Sequence, residues 1–236
     1  MQMPAKRFRI LTLGCKVNQY ESAYLEESLL GAGWRRAGRG EPADAVVVNT
    51  CMVTGRASCQ SRQAIRKQIR ENPEAVIVAT GCYAQVSPQE LAAIEGVDIV
   101  AGNSFKGRLP GLVLEARPAK AAAVLHEPLG RDTPFDALPV RGRPGRTRAL
   151  LKIQDGCSAF CSYCIVPHAR GRPRSMETEA VVRALEGFSR AGFLEAVLTG
   201  IHLGRYGADL APRSDLKALL RRIGRQGLAL RVRLSS

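Results

Sequence analysis

A chain of 236 residues with 45% apolar side chains can bury roughly 70% of its unfolded surface, which excludes wholesale disorder and any need for a staple merely to fold. Its 35 basic and 21 acidic residues leave a formal charge of +14, and no apolar run reaches the ~18 residues of a membrane span, nor does the short run before Gly14 suffice for a signal-peptide core. These absences predict a soluble cytoplasmic protein, and there seven cysteines, an odd number in a chain this long, are expected to bind metal or do chemistry rather than pair as disulfides.

The first half repeats a strand, loop and helix. Phe8 to Leu13 reads as a strand ending at Gly14-Cys15, followed by a helix with Asn18 as N-cap, Glu21 three residues on, and an end near Gly31 and Gly33. Ala45 to Val48 is a second strand, ending at Asn49-Thr50-Cys51, and a helix runs from Arg56 to Glu71, where Asn72-Pro73 stops it. Ala75 to Ala79 is a third, ending at Thr80-Gly81-Cys82, and its helix opens with Ser87, Pro88 and Glu90. Val97 to Val100 and Ala121 to Leu125 supply a fourth and a fifth strand. Strands alternating with helices at this spacing mean an α/β fold, a parallel sheet with helices on both faces.

Residues 116–148 hold Pro118, Pro128, Pro134, Pro139 and Pro144 and read as a linker around the fifth strand. The pattern restarts at Ala149. Leu150 to Ile153 is a strand, Cys157 to Cys164 lie in the loop after it, and a helix from Met176 to Arg190, capped by Ser175, turns Val181, Leu185 and Phe188 inward. Leu194 to Leu198 is the next strand and runs into Thr199-Gly200-Ile201-His202. Ser214 caps a helix whose Leu216, Leu219, Leu220 and Ile223 share a face, and Leu228 to Leu234 alternate as a last strand.

Charge is uneven along this plan: 14 basic to 11 acidic in residues 1–115, 7 to 3 in 116–148 and 14 to 7 in 149–236. Arg141, Arg143, Arg146, Arg148, Lys152, Arg170, Arg172 and Arg174 flank the cysteine cluster with only Asp155 among them. Such a rim suits RNA, with Arg170, Arg172 and Arg174 as candidate contacts; the alternative is a solvated arginine-rich surface.

Cys157, Cys161 and Cys164 have a C-x3-C-x2-C spacing. Three thiolates in one loop can converge on one iron–sulfur cluster and leave an iron open to a small molecule, with the Tyr163 ring beside it for an adenine to stack on. The competing reading is zinc with His168 as fourth ligand. Cys15, Cys51 and Cys82 are dispersed, but each follows a predicted parallel strand, and the carboxyl ends of such strands line one crevice. They too can meet as three ligands with one metal position free; independent burial is the alternative. Cys59 fits neither set. Arg62, Arg66 and Arg70, spaced four apart, could hold phosphate or form a solvated helix face.

With these residues the sequence resembles the radical S-adenosylmethionine methylthiotransferases over nearly its whole length. The motifs are Leu13-Gly14-Cys15-Lys16-Val17-Asn18-Gln19, Val48-Asn49-Thr50-Cys51, Thr80-Gly81-Cys82-Tyr83-Ala84-Gln85, and Cys157 to Cys164 continuing through Ile165-Val166-Pro167-His168-Ala169-Arg170-Gly171. Their wording is most similar to the type that modifies threonylcarbamoyl-adenosine in transfer RNA; sister types act on isopentenyl-adenosine in transfer RNA or on a ribosomal-protein aspartate. The resemblance implies a flavodoxin-like N-terminal domain (1–115), a linker (116–148) and the first half of a partial (β/α)6 radical S-adenosylmethionine barrel (149–236). It implies two [4Fe-4S] clusters, a catalytic one on Cys157, Cys161 and Cys164 that binds and cleaves S-adenosylmethionine to a 5′-deoxyadenosyl radical, and an auxiliary one on Cys15, Cys51 and Cys82 that carries the sulfur to be inserted. Tyr163, Thr199 and Gly200 would contact S-adenosylmethionine, the product would be a 2-methylthio adenosine beside the anticodon, and an electron donor and a sulfur donor of unspecified identity would be partners. A non-catalytic, metal-stabilised RNA-binding module is the reading from another class. The 88 residues after 148 hold about three βα units at ~30 residues each, whereas the family's barrel has six and a C-terminal β-domain follows, so the length predicts a fragment or truncated product.

Overall fold

Ala45–Thr50 and Val76–Gly81 are buried at all six positions, the mark of strands covered on both faces. The computed structural model describes residues 5–130, 133–142 and 147–235, which divide into two units, Met1–Pro128 and Leu129–Ser236. In the first unit the elements are β1 (Arg7–Thr12), α1 (Lys16–Gly31), β2 (Arg35–Arg36), β3 (Ala45–Thr50), α2 (Gly55–Glu71), β4 (Val76–Gly81), α3 (Cys82–Val86), α4 (Pro88–Ala92), β5 (Ile99–Ala101), α5 (Leu109–Glu115) and β6 (Ala123–Leu125). All six strands are parallel, in the order β2-β1-β3-β4-β5-β6. This is the flavodoxin-like doubly wound order with one strand added.

Alternation along each strand builds two cores. Val46, Val48, Ile77 and Ala79 meet Ile65 of α2 and Leu91 of α4, while Ala45, Val47, Val76 and Val78 meet Leu25 and Leu29 of α1 and Leu109 and Val113 of α5. Each fully buried valine or leucine contributes ~1.5–3 kcal/mol by removal from water. The strand expected in the linker is β6, which pairs with β5 and lies in the first unit.

Several local readings are corrected. The first helix begins at Lys16 with Cys15 at its cap, because the Asn18 side chain is spent on strand carbonyls instead of capping. Thr54 caps α2 by accepting from the Ala57 N–H at 3.1 Å. Glu90 does not reach back to the cap of α4 but accepts from the Tyr83 hydroxyl at 2.6 Å. The strand β2 and the 3-10 turn Asn103–Arg108 were not anticipated; the former has only two residues, too few for a pattern.

The second unit holds β7 (Arg148–Lys152), β8 (Gln154–Asp155), α6 (Val166–Arg170), β9 (Arg174–Ser175), α7 (Thr178–Arg190), β10 (Glu195–Thr199), α8 (Leu216–Gly224) and β11 (Arg231–Ser235). Its sheet is parallel in the order β7-β10-β11, and β8 pairs with β9 in an antiparallel ribbon. The predicted stripe of α7, Val181, Leu185 and Phe188, is buried, and so is Val182. Ser175 does not cap α7: it pairs with Gln154 in the ribbon, and its Oγ donates to Asp209 at 2.6 Å. Asp215, not Ser214, caps α8, accepting from the Ala218 N–H at 2.7 Å. The last strand starts at Arg231 rather than Leu228. Among the described residues no helix is long and apolar enough to cross a membrane.

Candidate functional site

In the first unit β1, β3 and β4 are neighbours, and Cys15, Cys51 and Cys82 follow their carboxyl ends. The register pairs Thr12 with Asn49 and Thr50 with Gly81, so the chain reaches Cys51 and Cys82 at adjacent positions. The connection is close enough to require glycine at two points. Gly14 has φ +92° and any Cβ there would lie 2.8 Å from Cys51 Sγ; Gly81 has φ +101° and a Cβ there would lie 2.4 Å from the Thr50 carbonyl oxygen. Cys51 and Cys82 are buried and Cys15 is exposed, at the amino end of the 16-residue helix α1, whose dipole favours a negative group there.

An amide network holds these strand ends. Asn18 Nδ2 donates to the carbonyls of Leu13 (2.8 Å) and Thr50 (3.0 Å), and Asn49 Nδ2 donates to the Asn18 carbonyl (2.9 Å) and Ser22 Oγ (3.0 Å). Behind them Lys106 Nζ donates to Asn49 Oδ1 at 2.9 Å and pairs with Glu21 at 3.1 Å, both side chains at most 4% exposed. Thr50 Oγ1 donates to the Thr80 carbonyl at 2.6 Å, tying β3 to β4. Ser61 clasps Cys51 on both backbone groups, accepting from its N–H at 3.2 Å and donating to its carbonyl at 2.9 Å. Of these residues, Asn18 and Asn49 belong to the cysteine motifs and were legible as motif members. Lys106 and Ser61 carry no sequence signal, because a buried lysine is recognised only once its carboxylate partner is beside it.

In the second unit the loop from Gly156 to Pro173, with α6 inside it, lies between β8 and β9 and contains Cys157, Cys161 and Cys164. Its base is clipped. The Cys157 N–H donates to the Gly171 carbonyl at 2.9 Å, and Gly156, at φ +74°, lies so near the Arg172 carbonyl that a Cβ would come within 2.0 Å of its oxygen. The Cys164 N–H donates to the Cys161 carbonyl at 2.9 Å, closing a turn. Phe160, with φ +46°, sets its ring edge-on to His168.

Asp155 gathers Lys152 Nζ at 3.0 Å, Arg170 Nη1 at 3.2 Å from both carboxylate oxygens, and Arg174 at 3.8 Å. Three cations thus converge on one carboxylate at the base of the loop that carries the three thiols. Arg170, expected to touch RNA, is corrected here: it is 1% exposed and its guanidinium serves Asp155. Arg172 is exposed and Arg174 largely covered, while Arg143, Arg146 and Pro144 lie outside the described residues. Tyr163 is 88% exposed. Thr199, at the carboxyl end of β10, is 2% exposed, so its side chain is closed to a ligand in this structure. Gly200 next to it abuts Gln154, whose Oε1 accepts from the His202 N–H at 2.7 Å and whose Nε2 donates to the Gly156 carbonyl at 2.7 Å. Gln154 thereby joins the β10 loop to the cysteine loop.

All seven cysteines are free. Among the described residues no three His, Cys, Asp or Glu side chains are grouped as around a single metal ion. The donor chemistry fits an iron–sulfur cluster better, because such clusters take thiolates and bond them to different irons. Tyr83, placed just after Cys82, accepts from Arg62 at 2.5 Å and donates to Glu90, and burial pushes its phenol up. Arg62 is thus committed, while Arg66 and Arg70 are exposed.

Residues 7–102 match the family described as "Uncharacterized protein family UPF0004". The chain is 42% identical over 225 residues to the threonylcarbamoyladenosine tRNA methylthiotransferase MtaB of Bacillus subtilis, covering 95% of this chain and 50% of that protein. It is 38% identical to the protein of that name from Thermotoga maritima (98% and 52% covered), and 31% identical to the tRNA-2-methylthio-N(6)-dimethylallyladenosine synthase of Pelotomaculum thermopropionicum (91% and 49%). Among solved structures, the radical S-adenosylmethionine methyltransferase TsrM from Kitasatospora setae, with cobalamin and [4Fe-4S] cluster bound, superposes with TM-score 0.59 at 20% identity, over 96% of this chain and 55% of that one. The chain spans about half the length of the curated relatives it matches. The family recognised from the cysteine motifs is the family of these relatives.

Proposed function

We propose, for a chain whose relatives are the radical S-adenosylmethionine methylthiotransferases, that it belongs to an enzyme inserting a methylthio group at C2 of threonylcarbamoyl-adenosine beside the anticodon of transfer RNA. One observation carries the chemistry: two sets of three cysteines in two separate units, one following the carboxyl ends of three parallel strands and the other within a single loop. Cys15, Cys51 and Cys82 would hold one [4Fe-4S] cluster and Cys157, Cys161 and Cys164 another, each with one iron left without a cysteine. Such clusters, when bound, supply electron transfer, a docking iron for S-adenosylmethionine and a site for the transferred sulfur.

The chain's own residues orient and shield. Asp155, with Lys152 and Arg170, fixes the base of the C-terminal loop. The Tyr163 ring and the Gly200 backbone are the groups offered to S-adenosylmethionine, and Arg172 the cation offered to RNA phosphates. Free thiols throughout suit a reducing cytoplasm, where an electron donor and a sulfur donor would act on this chain. The higher identity to the threonylcarbamoyl-adenosine relative, 42% against 31%, favours that substrate over dimethylallyl-adenosine.

Anaerobic reconstitution with iron and sulfide tests the reading. The expected outcome is about eight irons per chain, two four-iron clusters, and cleavage of S-adenosylmethionine on reduction. Stoichiometric zinc with no iron would overturn it in favour of a non-catalytic metal-stabilised module.

A further inference from the structure

Asn103 belongs to no motif and lies twenty-one residues beyond Cys82, yet its Nδ2 donates to Cys82 Sγ at 3.9 Å. Its position is set by the fold and not by an occupant of the site. The Asn103 N–H donates to Gln85 Oε1 at 2.7 Å, and Gly102 approaches the same oxygen so closely that a Cβ would stand 2.5 Å from it. Gln85 is held in turn, since its Nε2 donates to the Glu127 carbonyl at 3.0 Å. It also sits on α3, the short helix that Cys82 begins. Cys82 and Asn103 are therefore two ends of one braced unit, and Cys82 is only 4% exposed, so the amide contacts its sulfur where water is largely excluded.

We infer that Asn103 sets the reduction potential of the cluster on Cys15, Cys51 and Cys82, a step that rests on the reading that these cysteines hold one. One-electron reduction adds negative charge that is shared by the cysteine sulfurs. An N–H aimed at a sulfur stabilises the reduced form more than the oxidised form and raises the potential. Asn103 is thus a positioning and tuning residue, acting through the sulfur of Cys82.

The test uses the full chain with Cys157→Ala, Cys161→Ala and Cys164→Ala, so that a single cluster site remains. It is reconstituted anaerobically and titrated with dithionite, each cluster taking one electron from the dithionite, which is oxidised to sulfite, and the reduced form is read by electron paramagnetic resonance. Asn103→Leu keeps much of the volume and removes the donor; a tenfold shift of the equilibrium toward the oxidised form is expected, about 59 mV lower for a one-electron couple. Iron content stays that of the parent. Asn103→Asp, nearly isosteric, brings an acceptor to the sulfur and should lower the potential at least as far, giving an independent measurement where the leucine variant loads poorly. An unchanged potential in the variants that load would overturn the inference, as would loss of iron in both, which makes Asn103 a structural support only. A parent that binds no iron overturns the cluster reading itself and this inference with it, so the two failures are told apart by the parent's iron content.

Discussion

Cys15, Cys51 and Cys82 stand at the ends of three strands far apart in sequence, whereas Cys157, Cys161 and Cys164 share one loop of the second unit. The first set is held chiefly by neutral groups, the amides of Asn18 and Asn49, the hydroxyls of Thr50 and Ser61, and glycines at Gly14 and Gly81 that let backbones touch, with one buried ion pair, Lys106 and Glu21, behind Asn49. The second is held by charge, with Asp155 under three cations. A site assembled from separate strands depends on sheet register, because a slip moves each cysteine relative to the others. A site within one loop depends only on how the loop's ends are clipped. The two should therefore fail separately, by different substitutions.

The largest expected effect is at the charge hub. Asp155→Asn keeps the shape but removes a carboxylate that pairs with Lys152 and Arg170, both at most 2% exposed. Removing one partner of a buried ion pair costs about 3–5 kcal/mol. The second unit should lose about that much stability in denaturant unfolding, and the reconstituted chain should keep roughly half of its iron, that of the first unit. Full iron content with unchanged stability would show that the loop is not held by Asp155.

Gly81→Ala breaks the other construction. The new Cβ would meet the Thr50 carbonyl at 2.4 Å and the residue would be strained at φ +101°. Strain of this kind alone costs about 1–3 kcal/mol, and the contact adds to it. The β3–β4 pairing should open at the end that carries Cys51 and Cys82, with loss of the first unit's iron while the second unit's remains. Retention of iron in both units would mean that register at this strand end does not matter to the dispersed set.

The same contrast explains what could be read from the chain. Strands β3 and β4 were legible because runs of buried aliphatics leave few alternatives, and the three strand-end cysteines because each follows the end of a strand by no more than three residues. Asn18 was misread as a cap, since a polar residue at the start of an apolar helix usually is one. Its actual partners, the carbonyls of Leu13 and Thr50, become visible only when β1 and β3 lie side by side. Arg170 was read as surface because arginine near a reactive loop is ordinarily exposed. The fold instead turns it onto Asp155, fifteen residues earlier, a pairing that no local pattern encodes. Gln154, Lys106 and Asn103 share that property: each acts on a residue brought near by the sheet.

The smallest effect sharpens the comparison at the opposite ends of the strands. Each unit has one carboxyl there held below its usual range, Glu41 by Arg35 and Glu195 by Arg233. Glu41 lies at about 2, drawn down first by the Arg35 guanidinium and then by the Gly38 N–H. Because its folded value is depressed, its contribution is complete above the ordinary carboxylate range and fades as pH falls from about 4.5 toward 2. The chain has a single tryptophan, Trp34, adjacent to Arg35, so its fluorescence follows the first unit alone. Glu41→Gln should flatten the acid dependence of the Trp34 unfolding midpoint in that window and leave the midpoint at neutral pH slightly lower. The second unit, followed by amide exchange of its own segments, should keep its own acid dependence through Glu195. If Glu41→Gln changes both units alike, they do not unfold as separate bodies. The contrast between a register-held and a charge-held site would then have to be drawn within one cooperative structure.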